Sequence, residues 1–189
     1  NNTFEYFIPA GLGELKLPLN CCIDEKGNLY VADGERMQII MFDSKGNYLD
    51  SFGEEENYKP TDVNVTENEI WVANLKNNRI CVYNKASHAL IYSFPDTKKG
   101  EKDYLYSPTN IFVTQDLVFV SDMGDAKIKI FNHDGLFLWS FGSYGSGIGQ
   151  FARPKGVSVD RNSNVYIIDA GFENAQIFDP EGKLLMHFG

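Results

Sequence analysis

The chain has 189 residues, 43% of them hydrophobic and 14% aromatic, enough for a packed core and far from a disordered composition. A formal net charge of −9 argues against a nucleic-acid-binding surface, which needs a basic patch; the densest basic run, Lys98-Lys-Gly-Glu-Lys102, is interrupted and flanked by acids and reads as a solvated loop. No apolar run approaches the roughly 20 residues of a membrane span, and Asn1-Asn-Thr-Phe-Glu-Tyr6 has neither the basic start nor the apolar core of a signal peptide.

Residues 1–17 open with Phe4-Glu-Tyr-Phe7 and continue through Ala10 to Pro18, matching Leu138-Trp-Ser-Phe141 and the stretch from Tyr144 to Pro154. They read as the outer strand and linker of a repeat whose earlier strands are absent. Four complete repeats follow, at approximately 18–53, 59–95, 107–142 and 153–189. Each begins at a proline (Pro18, Pro60, Pro108, Pro154) and closes on a phenylalanine (Phe52, Phe94, Phe141, Phe188). Within them Asn28-Leu-Tyr-Val-Ala-Asp33, Glu69-Ile-Trp-Val-Ala-Asn74, Leu117-Val-Phe-Val-Ser-Asp122 and Asn164-Val-Tyr-Ile-Ile-Asp169 align without a gap. A period of about 45 residues belongs to propellers and solenoid arrays.

Each repeat parses into four strands. The first alternates (Cys21, Ile23; Val63, Val65; Ile111, Val113; Val157, Val159), and the second carries the aromatic-Val core and stops at Asp or Asn. The third ends at Phe42, Tyr83, Phe131 and Phe178, and an Asp/Asn-x-x-Gly turn leads to the fourth; the second repeat lacks that glycine (Asn84-Lys-Ala-Ser87). Period-two alternation, turn residues and β-branched enrichment agree, with no competing helical period. So small a sheet cannot bury both faces alone, whereas blades stacked around an axis do. The predicted fold is therefore all-β: a propeller with four complete four-stranded antiparallel blades plus one strand of a preceding blade. It forms an arc of a six-bladed ring, with roughly 90 residues outside the sequence. A leader peptide would lie in that missing portion. The second strand of every blade is expected to be buried on both faces, and Tyr30, Trp71, Phe119 and Tyr166 to pack between blades.

The three cysteines form no metal-binding or haem-attachment motif. Cys21 aligns with core positions and reads as a small buried hydrophobe, and a Cys22–Cys81 bridge stays open without support from spacing.

These residues resemble the NHL-repeat β-propellers, over essentially the whole chain. The pattern is carried by Gly27-Asn-Leu-Tyr-Val-Ala-Asp33, by Asn77-Asn-Arg-Ile-Cys-Val-Tyr83 and by the linker from Phe141 through Asp160. The resemblance implies a six-bladed propeller that binds rather than reacts. Ile168-Asp-Ala-Gly-Phe-Glu-Asn-Ala-Gln-Ile-Phe-Asp179 is similar to blades of bacterial NHL proteins associated with multihaem cytochromes. That likeness implies an extracytoplasmic location and assembly with cytochrome-type proteins. The family's third-strand cation is here Gln38, Arg79, Lys127 or Asn174; where present it is expected to pair with the acid ending the second strand.

Asp33, Asn74, Asp122 and Asp169 end equivalent strands and would gather near one end of a central channel. Each either caps its own turn or contributes to a calcium-type cation site; no other cofactor is expected. His88, His133 and His187 lie on separate repeats at the periphery and do not converge, and no nucleophile elbow is present. Two functions remain. One is a non-catalytic scaffold with a protein or polymer partner. The other is a propeller hydrolase or lyase whose catalytic residues lie partly in missing blades. The scaffold reading places the partner on the face formed by linkers 53–59, 95–107 and 142–153, with Tyr58, Tyr104, Tyr106 and Tyr144 exposed there.

Overall fold

The computed structural model describes residues 9–53 and 57–189. The expected outer strand at Phe4–Phe7 lies outside the described residues. A short 3-10 turn (Gly11–Gly13) precedes sixteen strands. The first blade is β1 (Pro18–Ile23), β2 (Leu29–Asp33), β3 (Gln38–Phe42) and β4 (Tyr48–Gly53); the second is β5 (Pro60–Val65), β6 (Glu69–Asn74), β7 (Arg79–Asn84) and β8 (Leu90–Phe94). The third is β9 (Pro108–Val113), β10 (Leu117–Asp122), β11 (Lys127–Asn132) and β12 (Phe137–Phe141); the fourth is β13 (Pro154–Val159), β14 (Val165–Asp169), β15 (Asn174–Phe178) and β16 (Leu184–Phe188). Each blade is an antiparallel meander in chain order.

Three apolar cores lie between successive blades. Tyr30 and Ala32 meet Val63, Val72 and Cys81 in the first; Trp71 and Ala73 meet Leu105, Ile111 and Val120 in the second; Phe119, Ile128 and Ile130 meet Phe151, Val157 and Ile167 in the third. The alternation of side chains across each pleat thus sends one set forward and one set back. Trp71 is fully buried, ringed by Tyr92, Phe94 and His133.

The closing phenylalanine of one blade packs on the third-to-fourth strand turn of the next. A Cβ on Gly135 would meet the Phe94 ring at 2.6 Å and one on Gly182 would meet Phe141 at 2.7 Å, so the close approach as well as positive φ requires glycine there. In blade 2, where glycine is missing, His88 adopts the left-handed conformation (φ 55°) and its ring stacks on Phe52 with centroids 5.0 Å apart.

Two burial expectations need correction. β14 is buried on one face only: Val165, Ile167 and Asp169 are buried while Tyr166 and Ile168 are 37% and 50% exposed, because no blade among the described residues packs against the side they occupy. Cys21 is exposed for the mirror reason. Its counterparts Val63, Ile111 and Val157 face the preceding blade, and among the described residues no blade lies on that side of β1. Cys22 packs against the first core, which also contains Cys81, and no disulfide joins them.

Candidate functional site

Every linker between blades shares one face with the second-to-third strand turns, and one residue per blade ties the two together. Asp33 accepts the N–H groups of Lys16 and Leu17 from the linker and of Glu35 and Arg36 from the turn. Asp169 does the same with Ala152 and Arg153 on one side and Gly171 and Phe172 on the other. Asn74 accepts from Lys59 and Lys76 and donates to the Asn57 carbonyl. Asp122 accepts from Tyr106 and Ser107 and pairs with Lys129. All four are buried. Burial alone would raise the Asp33 carboxyl, and the N–H bonds from Arg36, Lys16, Leu17 and Glu35 outweigh it, holding it below the usual carboxylate range. Asp33, Asn74 and Asp169 thus cap their own turns as well as the linker, whereas the Asp122 side chain holds the linker and Lys129. No group of three or more metal-ligating side chains comes together among the described residues.

A second anchor lies on the third strand, at a position facing the preceding blade. In blade 3 it is Lys129, fully buried, 3.0 Å from Asp122 and 2.9 Å from Asp125, donating to the Tyr104 carbonyl and lying 5.3 Å from the centre of the Tyr106 ring. In blade 4 it is Gln176, whose amide donates to the Gln150 carbonyl and accepts from Gly149 N–H. The cations at the start of the third strand do not do this work. Arg79 pairs with Asp96 and Lys127 with Asp125, neither of which ends a second strand. The expected pairing is thus supplied two residues further on, by Lys129, because that side of the strand points at the carboxylate.

The four tyrosines separate. Tyr58 is fully buried: it fills the first core edge-on to Tyr83, with ring centroids 6.4 Å apart. It belongs to a series with Leu105 and Phe151, each inserted from a linker into the core below, two or three residues before the blade's proline. Tyr104 and Tyr106 are half-buried and packed edge to face at 4.9 Å. Tyr144 is 80% exposed. Sequence reasoning missed its companions on the same face: Leu12 and Ile148 at the linker tips, and Met37 and Phe172 in the adjoining turns, all exposed. Of linker 53–59, residues 54–56 lie outside the described residues.

Two of the three histidines act between blades. His88 lies 3.0 Å from Asp50, and His133 contacts the Thr114 carbonyl at 3.0 Å while packing on Trp71. His187 is exposed.

The innermost strands build a further site, from one position that recurs in every repeat. β1, β5 and β13 each carry an irregularity after the proline, as does the β9–β10 pairing. The residues that follow, Asn20, Asp62, Asn110 and Gly156, line an axial groove. Asp62 is buried; it accepts from Val63 N–H at 2.8 Å, from Ile111 N–H at 2.9 Å and from the Asn110 amide at 3.3 Å, joining blades 2 and 3. Burial pushes its carboxyl up to about 7 despite those bonds.

A family model described as a 6-bladed beta-propeller matches residues 100–183. Protein brain tumor of Drosophila melanogaster is 39% identical over 49 residues, 26% of this chain and 5% of that protein. Among solved structures, a streptogramin B lyase superposes with a TM-score of 0.71 at 14% identity, covering 90% of this chain and 54% of the lyase. The hydrazine synthase of Kuenenia stuttgartiensis gives a TM-score of 0.69 at 13% identity, covering 98% of this chain and 51% of that one. The chain thus spans about half the length of these structures. At such identities the likeness shows the fold alone: an all-β propeller of four-stranded antiparallel blades.

Proposed function

We propose that the chain is a non-catalytic propeller scaffold of NHL-repeat type, and that it docks a protein partner on its linker face. The observation that carries this reading is the combination of exposed apolar tips with buried anchors. Tyr144 and Ile148, 80% and 73% exposed, project from a linker whose backbone is fixed by Gln176 and Asp169. A pre-ordered loop loses little entropy on binding, and tyrosine supplies contact area with few rotatable bonds. The opposite face offers mainly short turns closed by their own Asp or Asn side chains, as at Asp43 and Asn132.

The resemblance to bacterial NHL proteins supports a location in the cell envelope or outside the cell, and a cytochrome-type protein as a partner to test first. A photo-crosslinking residue in place of Tyr144 is expected to trap one protein in the native host, with the same residue at Lys45 on the opposite face trapping none. Trapping from position 45 with none from 144 would overturn the docking face.

A further inference from the structure

The axial groove holds one buried acid and one unpaired base on separate blades. Its layer nearest the linker face is a cavity of 300 Å³ walled by Thr61, Thr109 and Lys155; the next, of 280 Å³, is walled by Asp62 and Asn64, and Asn20, Asn110 and Gly156 border both. At the level of Asp62 the other three blades are neutral. All three partners of Asp62 are neutral N–H donors, and among the described residues no cation pairs with it. Lys155 is exposed and takes part in no ion pair formed among the described residues. The threonines between them are committed: Thr61 donates to the Ala73 and Pro108 carbonyls, and Thr109 to those of Ser121 and Pro154. The groove is thus oppositely charged at two points, on walls that also carry the apolar Leu19, Val63, Ile111 and Val157.

We propose that this groove binds a small zwitterion of the α-amino acid class, its ammonium on Asp62 and its carboxylate on Lys155, with the Asn20 and Asn110 amides between them. A hard metal ion fits less well, because it takes six or more oxygen ligands and the groove offers a single carboxylate. A simple amine would be repelled by Lys155, and a simple anion by Asp62. The groups facing Asp62 set its behaviour. The Cys22 thiol on β1 is raised mainly by burial and further by Asp62 itself. Cys21 and Lys155 are the other titratable groups on the groove walls, and β9 contributes none. With the Asp62 carboxyl pushed up to about 7, an ammonium ligand needs a carboxylate that is only partly present at neutral pH. Binding therefore strengthens as pH rises through that value and expels a proton when it occurs below it.

The test uses the whole chain with glycine, L-alanine and alanyl-alanine as probes, and methylammonium and acetate as the two half-ligands, followed by calorimetry. At least one zwitterion is expected to bind saturably at about pH 8 and at least tenfold more weakly at about pH 5.5. Asp62→Asn and Lys155→Met should each weaken it by tenfold or more, and neither half-ligand should match it. Asparagine occupies the sister positions 20 and 110, so Asp62→Asn places in blade 2 a residue that the same position already carries in blades 1 and 3. Far-ultraviolet circular dichroism and a single cooperative melt establish that each variant is folded. Absence of saturable binding by all three zwitterions to the wild-type chain at millimolar concentration would overturn the proposal. So would unchanged binding in folded Asp62→Asn. Crosslinking from Tyr144 is unaffected by either result, which keeps this site separate from the docking face.

Discussion

The linker entering blade 3 is held by a buried ammonium, and the linker entering blade 4 by a buried amide. Lys129 and Gln176 occupy the same register of their strands, face the same way and grip the backbone of the linker above. They differ in what they require of their surroundings. Gln176 carries one donor group and one acceptor group, and the linker supplies a partner for each. Lys129 brings a charge that two carboxylates, a carbonyl and an aromatic face compensate together. A neutral anchor can be lost at the cost of a few hydrogen bonds, whereas removing one member of a charged anchor strands its partners in a dry site.

Deleting the apolar scaffold common to both blades sets the upper scale. Trp71→Ala should cost about 3–5 kcal/mol in denaturant unfolding, the range for a large core aromatic; a loss below about 1 kcal/mol would place Trp71 at the surface. Lys129→Met should cost about as much, about 3–5 kcal/mol, because the buried Asp122 loses its counter-charge, while Asp125 keeps Lys127. Lys129→Gln, which imports the blade 4 solution, should cost less than Lys129→Met. Gln176→Leu should cost about 1–3 kcal/mol by leaving Gly149 N–H and the Gln150 carbonyl unpaired. Equal losses for Lys129→Met and Gln176→Leu would collapse the contrast between the two anchors.

Asp62 extends the contrast to a buried charge with no counter-charge. Its folded-state carboxyl is raised to about 7, while the unfolded chain titrates near the ordinary value of about 3.9. The stabilisation it gives when protonated is complete below the lower value and is lost as pH rises through the upper one. Asp33, held low, contributes in the opposite direction, with stability present above the ordinary carboxylate value and lost in acid. Asp62→Asn should therefore remove a fall in stability between about pH 4 and about pH 7 without touching the acid limb, as read from melting temperature against pH. At the small end, Tyr144→Ala should change stability by less than about 0.5 kcal/mol while reducing partner capture.

Much of the architecture was legible because repetition supplies its own alignment. Strand positions, turn residues and the inter-blade role of Trp71 follow from period-two patterning repeated four times. Two differences share one cause, which is that a repeat alignment is blind to neighbours. Cys21 aligns with the buried Val63, Ile111 and Val157 yet is exposed, and Tyr166 aligns with the buried Trp71 yet is partly exposed, because in each case no blade among the described residues packs on that side. Tyr58 was taken for a surface residue since it lies in a linker. Its alignment with Leu105 and Phe151 against the following proline would have identified the plug. Lys129 was hidden by its charge, since a lysine in an alternating strand ordinarily marks the solvent side. Asp62 was visible as the odd member of Asn20, Asp62, Asn110 and Gly156, but only the fold shows that these positions converge on an axis.

The contact of each closing phenylalanine with the turn of the following blade gives the array a direction. Phe52 meets His88, Phe94 meets Gly135 and Phe141 meets Gly182, so the joints are head-to-tail and never self-complementary. Stability then accumulates as a sum over nearest-neighbour joints, as in a one-dimensional Ising chain, rather than as a property of one central core. Such a chain frays from its ends and is most cooperative in its middle. Amide exchange should accordingly be slowest in β6, β7, β10 and β11, whose two faces are both covered, and fastest in β16, where Phe188 meets no turn among the described residues and is 53% exposed.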